Sequence, residues 1–369
     1  MKQITVILTV VIGFFLFSCQ PTENEAQFTL NVNLNNAEAK QIKLEQRVND
    51  EWVTVDSVQL SEGKASFSGS VDSPEIYYVT IEGIRGAIPV FMENTIITLT
   101  ADADNIREYQ IEGSASNDRL KAFDETNKDF DKQLQQHYNA YRTAAEEQNE
   151  EAMAEAEALY DETERQKNNY LTEYVKKNNA DVVSHYLVYR KSYEFDLEAL
   201  EGIVINFAET PESPYLTALT ERVKILKRVA VGQPFVDFSQ ENPDSVLVAL
   251  SDHIGPKVLL VDFWASWCQP CRAENPNIVA IHNDYKDKGF DVFGVSFDTD
   301  RDKWLEAIES DQLNWTQVSD LGGWGNAAGK LYGVQSIPHS ILLDENGTII
   351  AKNLRGDKLR EKVAEIIGE

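Results

Sequence analysis

From Lys257 to Arg272 the chain reads Lys-Val-Leu-Leu-Val-Asp-Phe-Trp-Ala-Ser-Trp-Cys-Gln-Pro-Cys-Arg. The near-continuous apolar run from Lys257 to Trp264 suits a central strand covered on both faces. Directly after it, Cys268-Gln269-Pro270-Cys271 opens a segment that reads as a helix to about Tyr285. This order constrains the fold more than any other feature, because a buried strand feeding a helix requires layers on both sides of a sheet. It also places a thiol where a helix N-terminus offers unpaired N–H groups and a partial positive charge. A thiolate is stabilised there, which lowers the thiol pKa toward neutrality. Cys271 falls about one turn after Cys268 on the same face, a spacing that suits a disulfide able to open and close.

The chain has three cysteines among 369 residues. Lys2 precedes an apolar run from Ile4 to Phe17, 14 residues long. A membrane-spanning helix needs about 20, so the run fits the apolar part of a secretory signal. Leu16-Phe17-Ser18-Cys19 resembles a bacterial lipobox, which implies that Cys19 is acylated on sulfur and becomes the mature N-terminus. The alternative is an ordinary signal or a short anchor with Cys19 incidental. With Cys19 lipidated, the exported protein keeps only Cys268 and Cys271. Two cysteines three apart close almost no loop, so their value as a structural crosslink is small and a chemical role is favoured. A zinc site needs about four ligands. The five histidines (His137, His185, His253, His282 and His339) form no second metal-like cluster, so no metal and no cofactor are expected.

A formal net charge of −27, spread along the chain, disfavours nucleic acid and anionic membrane surfaces as partners. Hydrophobic content of 42% supports packed cores, and the length suits two or three domains. Residues 1–18 read as the signal peptide and 19–27 as a polar tether. From Phe28, short period-two segments (Phe28 to Leu34, Ile42-Leu44, Trp52 to Val55, Ala65 to Gly69, Ile76 to Ile81, Ala87 to Phe91, Thr95 to Ala101) predict about seven strands, with a turn at Asn49-Asp50. They assign 28–113 to an all-β sandwich or barrel-like domain. From Ser114 the period becomes helical, with Leu120, Phe123, Phe130, Leu134, Tyr138 and Tyr141 on one stripe. A break near Gln148-Asn149 and further helices around 181–191, 196–207 and 213–229 make 114–230 a central α-helical region, whose amphipathic faces are compatible with a homodimer. Residues 231–369 form the α/β domain. Its expected elements include a strand at Phe235–Phe238, a short helix at Ser245–Ile254, and a hairpin around Asp344-Glu345-Asn346-Gly347.

Within 231–369, Phe263 to Pro276, Ser336-Ile337-Pro338 and Leu342-Leu343-Asp344 resemble the thioredoxin-fold domain of the TlpA-like group of exported, membrane-tethered thiol–disulfide oxidoreductases. The two N-terminal regions resemble, by pattern alone, those attached to such domains in Bacteroidetes lipoproteins. The resemblance implies roles. Cys268 is the attacking thiol and Cys271 the resolving thiol. Gln269 and Pro270 tune the redox potential, Gln269 departing from the Gly-Pro and Pro-His loops of relatives. Pro276 kinks the helix carrying the site. Asp262, six residues before Cys268, sits where thioredoxins keep a buried acid, and burial raises such a pKa into a range suited to moving a proton for Cys271. Glu274 matches the glutamate of the CxPCxxExP arrangement, so either carboxyl is a candidate relay. Pro338 falls at the family's cis-proline, Ile337 at the residue whose backbone binds substrate, and Trp267, with Trp264, in the apolar surround of the thiols, Trp264 being equally suited to the core. His339, in place of a common Thr, is either a group titrating near the site or a surface residue on a strand edge.

These residues imply an enzyme that reduces the disulfides of exported proteins, held in the cell envelope by a lipid anchor, facing the periplasm and recharged by a thiol-reducing membrane electron donor. An oxidase or isomerase is the chemical alternative. A partner-binding lipoprotein with a regulatory redox domain is the other. A peroxidase is disfavoured, since the Thr-x-x-Cys of peroxiredoxins is missing around Cys268.

Overall fold

The computed structural model describes residues 27–37, 41–48, 51–207 and 212–368, which form fifteen strands and nine α-helices. Cys19, the expected signal peptide, nearly all of the tether and the Asn49-Asp50 turn lie outside the described residues.

The N-terminal strands are β1 (Phe28–Asn35), β2 (Gln41–Val48), β3 (Glu51–Gln59), β4 (Lys64–Gly69), β5 (Glu75–Ile81), β6 (Ala87–Met92), β7 (Ile96–Asp102) and β8 (Asn105–Glu112). They build two four-stranded sheets, β4-β1-β7-β8 and β3-β2-β5-β6, antiparallel except for the β1–β7 pair. The alternating residues Leu30, Val32, Ile42, Leu44, Val79, Val90, Ile97 and Leu99 share one core. Strand β8 exceeds the seven expected strands. Its sequence, Asn-Ile-Arg-Glu-Tyr-Gln-Ile-Glu, is charged because it is a sheet edge that buries only Ile106.

The central region comprises α1 (Ala115–Glu146), α2 (Glu150–Lys177), α3 (Val182–Arg190), α4 (Leu197–Ile205) and α5 (Pro214–Arg228). Gln148, at φ +55°, ends α1, and the Asn149 side chain caps α2 by accepting the Ala152 N–H. The helices are fastened to the sandwich by buried hydrogen bonds. The Asn117 side chain accepts from Phe91 N–H at 2.9 Å and donates to Phe91 C=O at 2.7 Å, and the Tyr215 hydroxyl accepts from Ile76 N–H at 2.7 Å. Phe91 and Ile76 belong to the helical core with Phe123, Leu187, Leu200 and Leu219.

The C-terminal domain contains β9 (Ser239–Glu241), β10 (Leu247–Ala249), β11 (Val258–Trp264), α6 (Gln269–Tyr285), β12 (Phe290–Ser296), α7 (Arg301–Ser310), β13 (Thr316–Val318), α8 (Ala327–Tyr332), β14 (His339–Asp344), β15 (Ile349–Lys352) and α9 (Gly356–Ile367). Five strands form one mixed sheet, β13-β12-β11-β14-β15, with β11 central and buried at every residue. One face packs Val261, Phe263, Val295 and Ile341 against Trp304 and Tyr332. The other packs Leu260, Val292 and Leu342 against Ile278, Ile281, Leu359 and Val363. This is the thioredoxin fold, preceded by the β-rich and helical regions.

Two local expectations are corrected. Phe235–Phe238 is not a strand, and Ser245–Ile254 is not an α-helix but β10 followed by a 3-10 turn at Leu250–His253. The Asn242 side chain accepts the N–H groups of Asp244 and Val246, and Ser245 stands at φ +57°, which closes a β9–β10 hairpin instead. The hairpin between β14 and β15 turns at Gly347, whose φ of +79° and close approach to Phe235 require a residue without Cβ.

Candidate active site

Cys268 is the N-cap of α6 and is joined to Cys271 by a disulfide, S–S 1.99 Å. The Cys271 N–H donates to Cys268 Sγ at 3.2 Å, so an amide of the first helical turn already faces the sulfur where a thiolate would form. Cys268 is 4% and Cys271 1% exposed. Cys268 is therefore far more covered than an exposed attacking thiol is expected to be, although it lines a cleft. Gln269 and Pro270 are exposed at the helix start, and α6 runs on through Pro276 to Tyr285.

The loop entering the helix is held on both sides. Buried Asp298 accepts from the Ser266 N–H at 3.0 Å and from the hydroxyls of Ser266 and Ser296. Arg272 donates to Ser266 C=O at 3.1 Å and forms a two-pronged ion pair with Asp311, the C-cap of α7, which also accepts from Asn275 at 2.7 Å. Charge-assisted, two-pronged contacts of this kind fix orientation as well as adding energy. Nothing in linear spacing pointed to Asp298 or Asp311.

Asp262 lies within β11, fully buried, and its carboxyl is pushed up to about 7, first by burial and then by the negative charge of Glu274, with Arg355 pulling the other way. Glu274 is half-buried and accepts from Gly356 N–H at 2.8 Å and from Asn277 at 3.2 Å. Since the α9 N-cap, Arg355, makes no side-chain capping bond, a carboxylate from α6 caps α9. Glu274 is thus neither a solvated helix position nor a free carboxylate.

The Ile337–Pro338 bond is cis, and Pro338 C=O accepts from Arg355 at 2.6 Å. Ile337 lines a cleft of about 350 Å³ together with Trp267, Cys268, Gln269, Pro270 and Trp324. Trp267 is 53% exposed, its ring centroid 6.0 Å from that of Trp324, which leans on Phe297 at 5.4 Å. Trp324 was not singled out from the sequence. Its setting, Gly-Gly-Trp-Gly, is the one available signal, since a large aromatic in a glycine-rich loop has little local packing. Trp264, by contrast, is core: it is 1% exposed and donates from Nε1 to Gln317 at 2.9 Å. A larger cleft, about 850 Å³, lies between the sandwich and α1, lined by Tyr109, Lys121 and Arg190 among others.

Both expectations for His339 are corrected. Its ring packs on Phe263 with centroids 5.8 Å apart, and Nε2 is buried with no hydrogen-bond partner. Burial, reinforced by the positive charges of Lys352, Arg355 and Arg222, pushes its pKa down to about 3, so it stays neutral in the physiological range.

Two family models match. A domain of unknown function, DUF4369, matches residues 28–120, and Redoxin matches residues 230–367. The chain is 36% identical over 121 residues to the thioredoxin-like protein YneN of Bacillus subtilis, covering 32% of this chain and 68% of YneN. It is 26% identical over 141 residues to the thiol-disulfide oxidoreductase ResA of Bacillus thuringiensis, covering 38% of this chain and 79% of ResA. Among solved structures, the thioredoxin domain of a thiol-disulfide oxidoreductase from Bacteroides vulgatus aligns at 36% identity over 38% of this chain and 99% of its own, with a TM-score of 0.35. With a helix-capping Cys-x-Pro-Cys disulfide on a thioredoxin fold, and with this identity over two thirds of YneN, the chain belongs to the TlpA-like family of thioredoxin-fold thiol–disulfide oxidoreductases.

Proposed function

We propose that this oxidoreductase works in the reducing direction on the disulfides of exported proteins. The observation that carries the exchange chemistry is the Cys271 N–H directed at Cys268 Sγ on the N-cap of α6, which favours a thiolate on Cys268 once the disulfide is opened; the reducing direction rests on the likeness to the TlpA-like group. That thiolate attacks one sulfur of a substrate disulfide. A Cys268–substrate mixed disulfide forms, and the other substrate sulfur leaves as a thiolate and takes a proton from solvent. Cys271 gives its proton to the Asp262 carboxylate and attacks Cys268 Sγ. This closes the Cys268–Cys271 disulfide and releases the second substrate thiolate. Two electrons pass from the dithiol to the substrate, and a thiol-reducing donor in the membrane restores the dithiol.

Glu274 acts on this step through Asp262, raising its pKa, and through the cap on α9. Trp267 and Ile337, which line the cleft, and Pro338, joined to Ile337 by the cis bond, receive the substrate chain, and Gln269 and Pro270, exposed between the thiols, set the potential. Residues 1–18 direct export, Cys19 carries the lipid, 19–27 tether the protein, and 28–113, 114–230 and 231–369 are the three folded parts, with the redox part facing the periplasm.

The test is the reduction potential of the pair, measured by equilibrating the chain from Gln20 onward with glutathione buffers. A value near about −270 mV supports a reductase that needs an electron supply, and one near about −120 mV identifies an oxidant and reverses the direction. Lipidation is tested separately, by acyl labelling of the full chain and of Cys19→Ser.

A further inference from the structure

The cleft over the disulfide is not built by the thioredoxin fold alone. Tyr193, in the one-turn segment Ser192–Glu194 between α3 and α4, lines it together with Trp267, Cys268 and Trp324. Tyr193 is 53% exposed, as is Trp267. Three large aromatic side chains left open around one cleft mark a surface that is covered in use, and rings of this kind supply contact area at a low cost in side-chain freedom.

The position of Tyr193 is fixed by its neighbours. Ser192, buried, donates from Oγ to Gln335 at 3.1 Å. Arg222 of α5 donates from Nε to Ser192 C=O at 3.3 Å and from Nη1 to Gly333 C=O at 3.0 Å. One guanidinium therefore ties the Tyr193 segment to the loop that leads into cis Ile337–Pro338. Arg228 adds a bond to Leu331 C=O at 2.9 Å.

The wall is uncharged and led by aromatic rings, with Gln269, Gln335 and Ser336 as its neutral polar members. In a chain with 26% charged residues and a net charge of −27, no side chain lining this cleft is acidic or basic. An acidic or strongly hydrated segment gains nothing there, whereas an apolar side chain loses water against three rings. Cys268 lines the cleft, so an occupant that reacts there has to carry the sulfur that is attacked.

We infer that the helical region takes part in substrate selection. Tyr193 closes the substrate cleft, the preferred substrate is an extended polypeptide segment with an apolar or aromatic residue beside its cysteine, and Arg222 is the positioning residue that keeps this wall on the cis-proline loop. The inference rests on the reading of Cys268 as the attacking thiol.

The test uses three oxidants in single-turnover reactions with the reduced protein. Two are short single-cysteine peptides in mixed disulfide with glutathione, with Phe or Asp beside the cysteine. The third is bis(2-hydroxyethyl) disulfide. The expected result is a faster reaction with the Phe peptide than with the Asp peptide. Tyr193→Ala should lower the second-order rate constant for the Phe peptide about tenfold, equivalent to about 1.4 kcal/mol, chiefly through the half-saturating concentration. The small disulfide and the reduction potential should be unaffected, and Tyr193→Phe should restore the rate. Equal rates for the two peptides, or an equal loss on all three oxidants, overturn the inference. If the unsubstituted protein oxidises with none of them, the reading of Cys268 fails instead.

Discussion

Replacing Asp262 by Asn should stabilise the protein, and the gain should depend on pH in a defined way. An Asp carboxyl ionises near 3.8 in an open chain, and the folded protein holds Asp262 at about 7. Between these values the unfolded chain has lost the proton while the folded protein keeps it. Stability therefore falls as pH rises from about 4 to about 7, and the full penalty remains above that. A difference of about three units corresponds to about 4 kcal/mol. Asn does not titrate, so Asp262→Asn escapes the penalty. The stability difference between variant and parent should grow by about 3–4 kcal/mol from about pH 4 to about pH 8. Other titrations are common to both proteins and leave the difference, apart from Glu274, whose charge is part of the shift itself. Urea unfolding of the oxidised protein, followed by tryptophan fluorescence, reads the relevant part, because Trp264, Trp267, Trp304, Trp315 and Trp324 lie in the thioredoxin-fold domain and only Trp52 outside it. A difference that stays flat across this range, or grows toward acid, refutes the argument that burial holds Asp262 protonated.

Two further outcomes follow from the same geometry. Glu274→Gln removes the negative neighbour of Asp262 and weakens the α9 cap. The pH midpoint of the Asp262 effect should move down, and stability should fall by about 1 kcal/mol, both read from the same unfolding series. The His339 ring should show no titration between about pH 5 and pH 8 in nitrogen-detected NMR, since its folded pKa lies near 3. A midpoint within that range would mean that the ring is not buried beside Lys352 and Arg222.

The thioredoxin fold was legible because its signals are local: an apolar strand interrupted only by Asp262, a Cys-x-Pro-Cys on the following turn, and an Asp-Glu-Asn-Gly hairpin are each readable within a dozen residues. What escaped was set by distant contacts. β8 is charged because only Ile106 is buried in the core and only Ile111 packs partly against it, so period-two alternation is nearly absent. His339 looked like a group at a strand edge, and its state is set by burial first and then by Lys352, Arg355 and Arg222, which arrive from three other elements. Glu274 was recognised by its position in a motif, but its bond to Gly356, 82 residues on, is invisible to spacing. Tyr193 lies 75 residues before Cys268 in another region, and no periodicity connects the two.

The junction between the helical region and the thioredoxin fold explains why pH should act on this centre through Asp262 and not through the substrate loop. Arg222, Arg228 and Lys352 direct their cations at backbone carbonyls: those of Gly333, Leu331 and Val229. Carbonyl acceptors do not titrate, so these bonds persist where carboxylate partners would be lost to acid. The positive charge gathered there also keeps a proton off His339, directly after the cis-proline. Lys352 is itself depressed by burial and by Arg222. The loop that frames the cleft thus keeps one charge state through neutral pH. On the opposite face of the sheet, Asp262 changes charge near 7 beside a helix that begins at the disulfide. A pH–rate profile for closing the disulfide should therefore bend near the Asp262 value, and the bend should disappear in Asp262→Asn while persisting in a His339→Gln variant.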